Sequence, residues 1–425
     1  MNLDYLPVRI RYRFWAIYCV IFKSKDHWDV VLRQVAKQYG PVFTFWFGTR
    51  PQVMITDIDL GREAFRKNDM AASNMSNEKC QDVVSTDYGP QWEALRRVAH
   101  SAVHHEYFRR ERLFAETIDI VKGKYIKHYD DYNESIERDF CDALISAKND
   151  ALRDGKESAP YLTDTNLSMA IFDIFLAGTD TTIMNFCDAL ISAKNDALRD
   201  GKESAPYLTD TNLSMAIFDI FLAGTDTSQH TFQWIVLLMS YYPEMQQKLR
   251  QEIESQIGDR MPTHEDRNRC HYVMAFIAET LRFRNVVPTG LPHKTLVDTK
   301  LDKYTIPKNM SVFVYQSIIC RNDKDWQNSD EFKPERFIDS EGQFITTRPK
   351  AFIPFGVGRR VCLGEKLAIA DLFLVLVRFL QSTQDYDIVL DSNGGIEYNP
   401  NTAENLGPSE YRIKLIKLTM IESNK

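Results

Sequence analysis

One cysteine stands in a setting suited to holding a metal through sulfur: Cys362, within Phe355-Gly356-Val357-Gly358-Arg359-Arg360-Val361-Cys362-Leu363-Gly364. Gly356, Gly358 and Gly364 permit tight turns and let the backbone approach a flat cofactor where a Cβ would clash. Behind the cysteine, Leu363, Leu367, Ala370, Leu374 and Val377 recur at helical spacing, which places Cys362 near a helix N-terminus. There the helix dipole is expected to favour a thiolate over a thiol. Arg360 can pair with a carboxylate of the cofactor, and Phe355 can pack near the sulfur and limit water access. The chemistry these residues suit is thiolate ligation of a haem iron, with Cys362 as the ligand.

Three further groupings carry chemistry. Trp92 and Arg96 lie four residues apart, on one helix face, where both can donate to the same anion. Ala223-Gly224-Thr225-Asp226-Thr227 interrupts an apolar helical pattern with an acid beside an alcohol. Gly224 weakens a helix interior by about 1 kcal/mol relative to alanine, and the threonines compete for backbone hydrogen bonds. A loosened turn with space beside Ala223 and Gly224 is expected. Glu279 and Arg282, three apart, place a carboxylate and a guanidinium face to face on a third helix.

The cysteine segment resembles the haem-binding loop of the haem-thiolate monooxygenases, the cytochrome P-450 superfamily, with aromatic, glycine, arginine, cysteine and glycine in the family's positions. The other groupings occur in the family's order. The resemblance implies haem b (iron protoporphyrin IX) on Cys362, with Trp92, Arg96, His293 and Arg360 at its propionates. It implies that Ala223 and Gly224 leave room over the iron for dioxygen and that Asp226 and Thr227 relay protons. Glu279, Arg282 and Arg336, the last in Pro334-Glu335-Arg336-Phe337, match the family's buried structural cluster and are not catalytic. Within the family the nearest likeness is to the steroid 17-alpha-hydroxylase/17,20-lyase branch, on Asp266-Arg267-Asn268-Arg269, Pro292-His293-Lys294 and the region from Asp219 to Thr227.

The elements that must position these residues are mainly helical, with small β sheets, in one domain over residues 1–425. A helix from Trp28 to Tyr39 ends at Gly40-Pro41, and Val42 to Phe47 with Val53 to Thr56 reads as a hairpin. Asp59 to Asn68 is helical in pattern, and a loop through Asn74 and Asn77 is expected to border a substrate cavity. Residues 105–139 are charged and helical in pattern, and the helices that roof the family's pocket are partly missing. Pro243 to Gly258 reads as two exposed helical segments. Val297 to Pro307 and Val312 to Val314 read as short strands, and Tyr386 to Leu390 and Tyr411 to Leu418 complete a minor β region.

Phe140 to Thr181 recurs unchanged as Phe186 to Thr227. Two identical copies do not make a stacked repeat architecture, whose units recur several times and diverge. Both copies carry the Asp-Ile-Phe-Leu-Ala-Gly-Thr-Asp-Thr stretch, and only the second runs directly into an apolar, proline-free stretch, Ser228 to Tyr242. That copy is expected to form one helix of about 30 residues, about 45 Å long, and to be the distal haem helix.

Composition is that of an ordinary globular protein, 44% hydrophobic and 26% charged with a net charge of -7, and no long basic run points to nucleic acid. Seven cysteines without close pairs argue against a disulfide framework and against zinc, and suit a reduced, cytosol-facing protein. Arg9, Arg11 and Arg13 precede an apolar run from Phe14 to Phe22, about half of the ~20 residues a spanning helix needs. A complete anchor is not expected. Peripheral contact is an alternative to a buried first helix, and the resemblance implies the cytosolic face of the endoplasmic reticulum.

The activity implied is oxygen insertion into a small apolar molecule, with a steroid as one candidate, using O₂ and two electrons passed from NADPH by a reductase. Arg359, Arg360 and Lys366 offer that partner a basic surface. Two alternatives stand beside it: a haem-thiolate isomerase or peroxygenase, which needs no reductase, and a misassembled haem-binding remnant without activity.

Overall fold

The computed structural model describes residues 28–47, 50–67, 70, 72–73, 83–103, 153, 180–391, 396 and 407–418. The expectations for residues 9–22, for the loop through Asn74 and Asn77, for 105–139 and for nearly all of the first repeat copy lie outside these residues.

Helix α1 (Trp28–Tyr39) leads into strands β1 (Val42–Phe47) and β2 (Arg50–Ile55), antiparallel as expected. Helix α2 (Ile58–Arg66) begins at Asp57, whose carboxylate accepts the Asp59 and Leu60 N–H groups and so satisfies two of the donors that every helix start leaves open. A two-residue strand β3 (Ala72–Ser73) follows, then helix α3, described over 90–103. Helix α4 (Asp180–Arg199) packs on α5 (Asp210–Tyr241), where Leu190 and Ala197 meet Leu208, Leu213 and Ala216 in one apolar cluster. Lys194 and Asp210 close that pair with an ion bridge of 2.5 Å.

Helix α5 contains the repeated stretch and the unique stretch that follows it, and the two are buried very differently. In residues 210–227 only Asn212, Leu213 and Ala216 are buried. From Thr231 to Ser240 the buried set includes Trp234, Ile235, Leu237, Leu238 and Met239. The unique residues therefore fix this helix in place. The first copy is followed by Asp188 and Ser192 at the positions corresponding to Trp234 and Leu238, polar groups that the core would not accept.

The stretch after Pro243 forms one helix, α6 (Pro243–Gln256), and not two exposed segments. Gln246, Leu249 and Ile253 lie at i, i+3 and i+7 and are buried on a single face; the charged residues between them mask that face in the sequence. Glu252 on α6 accepts the Tyr272 and Val273 N–H groups at 2.8 Å each, capping α7 (His271–Phe283) from outside.

After α7 the chain builds β4 (His293–Lys294), β5 (Thr299–Leu301), β6 (Tyr304–Ile306) and β7 (Ser311–Val314). The single strand expected over Val297 to Pro307 is thus a hairpin, β5 with β6, turned by Asp302 at φ 50°, a left-handed conformation that aspartate tolerates. Strands β1, β2, β7, β4 and β3 form one sheet in that order, with β2 and β7 parallel. The sheet carries His293, which pairs with Val312 on one side and Ser73 on the other. Helices α8 (Gln316–Cys320) and α9 (Glu365–Ser382) and the hairpin of β8 (Tyr386–Leu390) with β9 (Ile413–Lys417) complete the described fold. No helix among the described residues is long and apolar enough to cross a membrane.

Near the C-terminal end of α7, Glu279 and Arg282 are fully buried and bonded twice, at 2.7 Å each. Arg336 Nε lies 3.4 Å from Glu279, and the Lys333 N–H donates to the same carboxylate at 2.8 Å. The remaining Arg282 donors meet the carbonyls of Cys320, Ser329 and Glu331. Burial pushes the Glu279 carboxyl up from its ordinary value against the pull of these partners. Removing one member strands a buried charge. Arg282→Ala should therefore lose about 3–5 kcal/mol of stability, whereas Lys248→Ala, which breaks the exposed pair with Glu335, should lose about 1 kcal/mol or less. Urea unfolding midpoints of the two variants check this.

Candidate active site

The cysteine loop is closed on itself and clamped to α2. The Cys362 N–H donates to the Phe355 carbonyl at 2.9 Å, and the turn between them passes through Gly356 and Gly358 at φ 80° and 75°. A Cβ on Gly358 would lie 2.3 Å from the Phe65 carbonyl oxygen, so only glycine fits there. Gly364 is different. Its φ is ordinary, the space at its Cβ position is open, and it caps α9, while its N–H reaches the Cys362 sulfur. The ring of Phe355 packs on the main apolar cluster.

Among the described cysteines, Cys362 alone is exposed; Cys270 and Cys320 are buried and Cys187 is half-buried. Helix α9 starts at Glu365, as the periodicity implies. The expected thiolate bias does not follow. Protein packed around the sulfur on its closed sides pushes the thiol pKa up, and the Gly364 N–H and the Arg96 charge only oppose that rise. A bound metal ion would favour the thiolate, the thiol proton being released to solvent as the sulfur coordinates.

Beside the loop, three groups with positive or donor character converge. Arg96 on α3 donates to the Val361 carbonyl and stands 5.2 Å from the centroid of Trp92; Arg360 stands 4.4 Å from the same ring. Trp92 Nε1 and Arg360 both donate to the Val83 carbonyl, and Arg360 also reaches those of Val84 and Thr86. That turn is tied to α5, because Asp219 accepts the Val83 and Val84 N–H groups at 2.9 and 3.0 Å. Burial lowers the Arg96 pKa, opposed by Cys362. His293 is 6% exposed, stacks on Phe65 with centroids 3.9 Å apart, and leaves Nδ1 buried with no hydrogen-bond partner. Burial, and then the Arg360 charge, hold its pKa down at about 3.

This donor set fits an iron porphyrin. An exposed cysteine suits the iron, two guanidiniums and an orphaned imidazole nitrogen suit its two carboxylates, and Arg96 commits one of its five N–H donors to the chain itself.

Ile217 and Ile220 of α5 share an apolar cluster with Leu363 and Leu367, so the repeated half of α5 faces the cysteine loop. The loosened turn expected at Ala223 and Gly224 is not present. The helix is unbroken there, because the Thr227 and Thr231 hydroxyls bond the carbonyls four residues back, Ala223 at 2.6 Å and Thr227 at 2.7 Å, without displacing the helix's own bonds. Ala223 and Gly224 are nevertheless exposed, as are Phe218, Phe221 and Leu222. Asp226 is half-buried. Asp219 and Phe65 were not legible as site residues; a lone acid within the apolar run of α5 was the available signal for the first, and nothing local marked the second.

The family model described as Cytochrome P450 matches residues 9–121, 107–192 and 183–384. The chain is 32% identical over 264 residues to a steroid 17-alpha-hydroxylase/17,20 lyase of Ictalurus punctatus, covering 62% of this chain and 42% of that protein. It is 37% identical over 187 residues to cytochrome P450 2K6 of Danio rerio, 44% of this chain and 37% of that one. The chain thus spans less than half the length of these curated relatives. A solved zebra fish cytochrome P450 with progesterone superposes with a TM-score of 0.67 at 23% identity, over 92% of this chain and 99% of the other, which establishes a shared fold.

Two outcomes test the site. Gly358→Ala should force the loop off Phe65 and raise the rate at which Cys362 is alkylated. For His293, the folded pKa lies below the ordinary value of 6.5, so the unfolded state takes up the proton first. Its stabilising contribution is complete above pH about 6.5 and is lost as pH falls toward about 3. His293→Phe should flatten that part of the stability profile, measured by denaturation midpoints across the range.

Proposed function

Because this chain belongs to the cytochrome P450 family, we propose that it is a haem-thiolate monooxygenase that inserts one oxygen atom of O₂ into a small apolar molecule. The observation that carries this reading is Cys362, the one exposed cysteine among the described residues, at the end of a loop that only glycine at position 358 can close. When bound and held by Cys362, haem would supply activation of dioxygen, the thiolate lending electron density that favours O–O cleavage.

The chain's own residues do the rest. Arg96, Arg360 and the Nδ1 of His293 hold the two carboxylates, and Trp92 keeps the guanidiniums in place by its ring. The repeated half of α5 serves as the distal helix, with Ala223 and Gly224 leaving an open face and Asp226 with Thr227 holding and passing protons. This acid and alcohol favour a monooxygenase over an isomerase or peroxygenase. Arg359 and Lys366 are exposed and suit an acidic reductase drawing electrons from NADPH; Arg360, turned onto the 83–86 carbonyls, serves the cofactor side instead.

The finer reading is a steroid-like substrate on the cytosolic face of the endoplasmic reticulum. Its support is the similarity to steroid 17-alpha-hydroxylase/17,20 lyases together with the exposed Phe218, Phe221 and Leu222.

The reading is tested by the reduced carbon monoxide spectrum of haem-loaded protein. The red-shifted Soret band of thiolate-ligated haem should be present and should disappear in Cys362→Ser, while Cys270→Ser and Cys320→Ser keep it. Absence of the band in the parent protein would instead support a remnant. A second comparison uses the repeat: Thr227→Ala should lower product formed per reducing equivalent, and Thr181→Ala, in the same local sequence, should not. An effect confined to Thr181→Ala would assign the distal helix to the wrong copy.

A further inference from the structure

Helix α5 carries two parallel polar rails past the open face at Ala223 and Gly224. One runs Ala223, Thr227, Thr231, joined by hydroxyl-to-carbonyl bonds of 2.6 and 2.7 Å. The other runs Asp226, His230, Gln233, at i, i+4 and i+7. The imidazole Nδ1 of His230 lies 2.9 Å from the Asp226 carbonyl oxygen and 3.4 Å from its carboxylate Oδ1. A carbonyl oxygen only accepts, so this contact requires the hydrogen on Nδ1 and fixes the tautomer.

The outer side of the ring is held by the C-terminal segment. A Cβ on Gly407 would lie 2.5 Å from His230 Cδ2 and 3.1 Å from Nε2, so the backbone of a buried glycine rides directly on the imidazole. The same segment is pinned to α5 where the Tyr411 hydroxyl donates to the Gln233 carbonyl at 2.8 Å. His230 is therefore gripped between its own helix turn and the 407–411 segment. An acid four residues before a basic group is also the favourable order for a helix pair.

We propose that His230 is a positioning residue for Asp226, its Nδ1 hydrogen donated to the Asp226 backbone carbonyl and its ring edge standing 3.4 Å from the carboxylate, so that the acid stays beside Thr227, with the 407–411 segment holding the ring. This rests on the monooxygenase reading above and assigns a group that the acid and alcohol pair alone does not supply. His230 lies in the unique stretch after the repeat, so the first copy, which has Met184 at the corresponding position, lacks it. The two identical Asp-Thr pairs would then differ in function because only one has its imidazole.

The test uses the full chain loaded with haem. Product formed per reducing equivalent should fall several-fold in His230→Ala, to about the level of Asp226→Asn, with apparent substrate affinity unchanged. His230→Gln, whose side-chain amide can still donate to Asp226, should restore most of the coupling. Independently of turnover, ¹⁵N spectra of histidine-labelled protein in its diamagnetic ferrous carbon monoxide form, assigned with His230→Gln, should show the His230 ring protonated at Nδ1. A ring protonated at Nε2 alone, or coupling in His230→Ala equal to that of the parent, would overturn the proposal. A parent protein with a normal thiolate spectrum and product formation keeps those outcomes separate from failure of the monooxygenase reading, which would show as no product in any variant.

Discussion

The approach of the Gly358 backbone to the Phe65 carbonyl is the constraint on which the site depends. At 2.3 Å from where a Cβ would stand, that carbonyl admits no side chain, so the cysteine loop lies flat on the end of α2. Phe65 then serves twice. Its carbonyl sets the loop, and its ring stacks on His293, which the five-stranded sheet delivers through β4. Two residues beyond Gly358, Arg360 reaches the 83–86 turn, and four residues beyond it Cys362 returns to the Phe355 carbonyl. Phe65 thus joins loop and sheet, while the Arg96 bond to the Val361 carbonyl joins the loop to α3.

The charges around this junction are arranged for an anion. Two guanidiniums flank Trp92, and a neutral histidine is buried with an unsatisfied nitrogen. The buried histidine nitrogen is unfavourable unless a partner completes it, whereas Arg360 already donates to the carbonyls of Val83, Val84 and Thr86. In the Glu279, Arg282 and Arg336 cluster the carboxylate is supplied by the chain itself, which bonds Arg282 twice and places Arg336 within ion-pair distance. Burial also raises the thiol pKa of Cys362 against the opposing Gly364 N–H and Arg96 charge.

Much of this was legible because local rules carry it. The glycine spacing around Cys362, the i, i+4 pair of Trp92 and Arg96, and the uninterrupted apolar run after the second repeat copy each encode their own geometry. What was not legible depends on distant chain. Asp219 acts by accepting N–H groups from Val83 and Val84, Phe65 by meeting Gly358, and Glu252 by capping a helix on another element; none has a spacing signature. At Cys362, packing around the sulfur pushes the thiol pKa up, which the local periodicity does not show. The opened turn at Gly224 failed because the threonine hydroxyls joined the helix's carbonyls without breaking its ladder.

On the proposed reading, the Cys362 sulfur is the group that this junction presents to iron. Iron-edge X-ray absorption on the haem-loaded chain tests it. One sulfur scatterer is expected in the first shell of the parent protein and a shell of nitrogen and oxygen alone in Cys362→Ser. A parent shell without sulfur, or a sulfur that persists after Cys362→Ser, would contradict it.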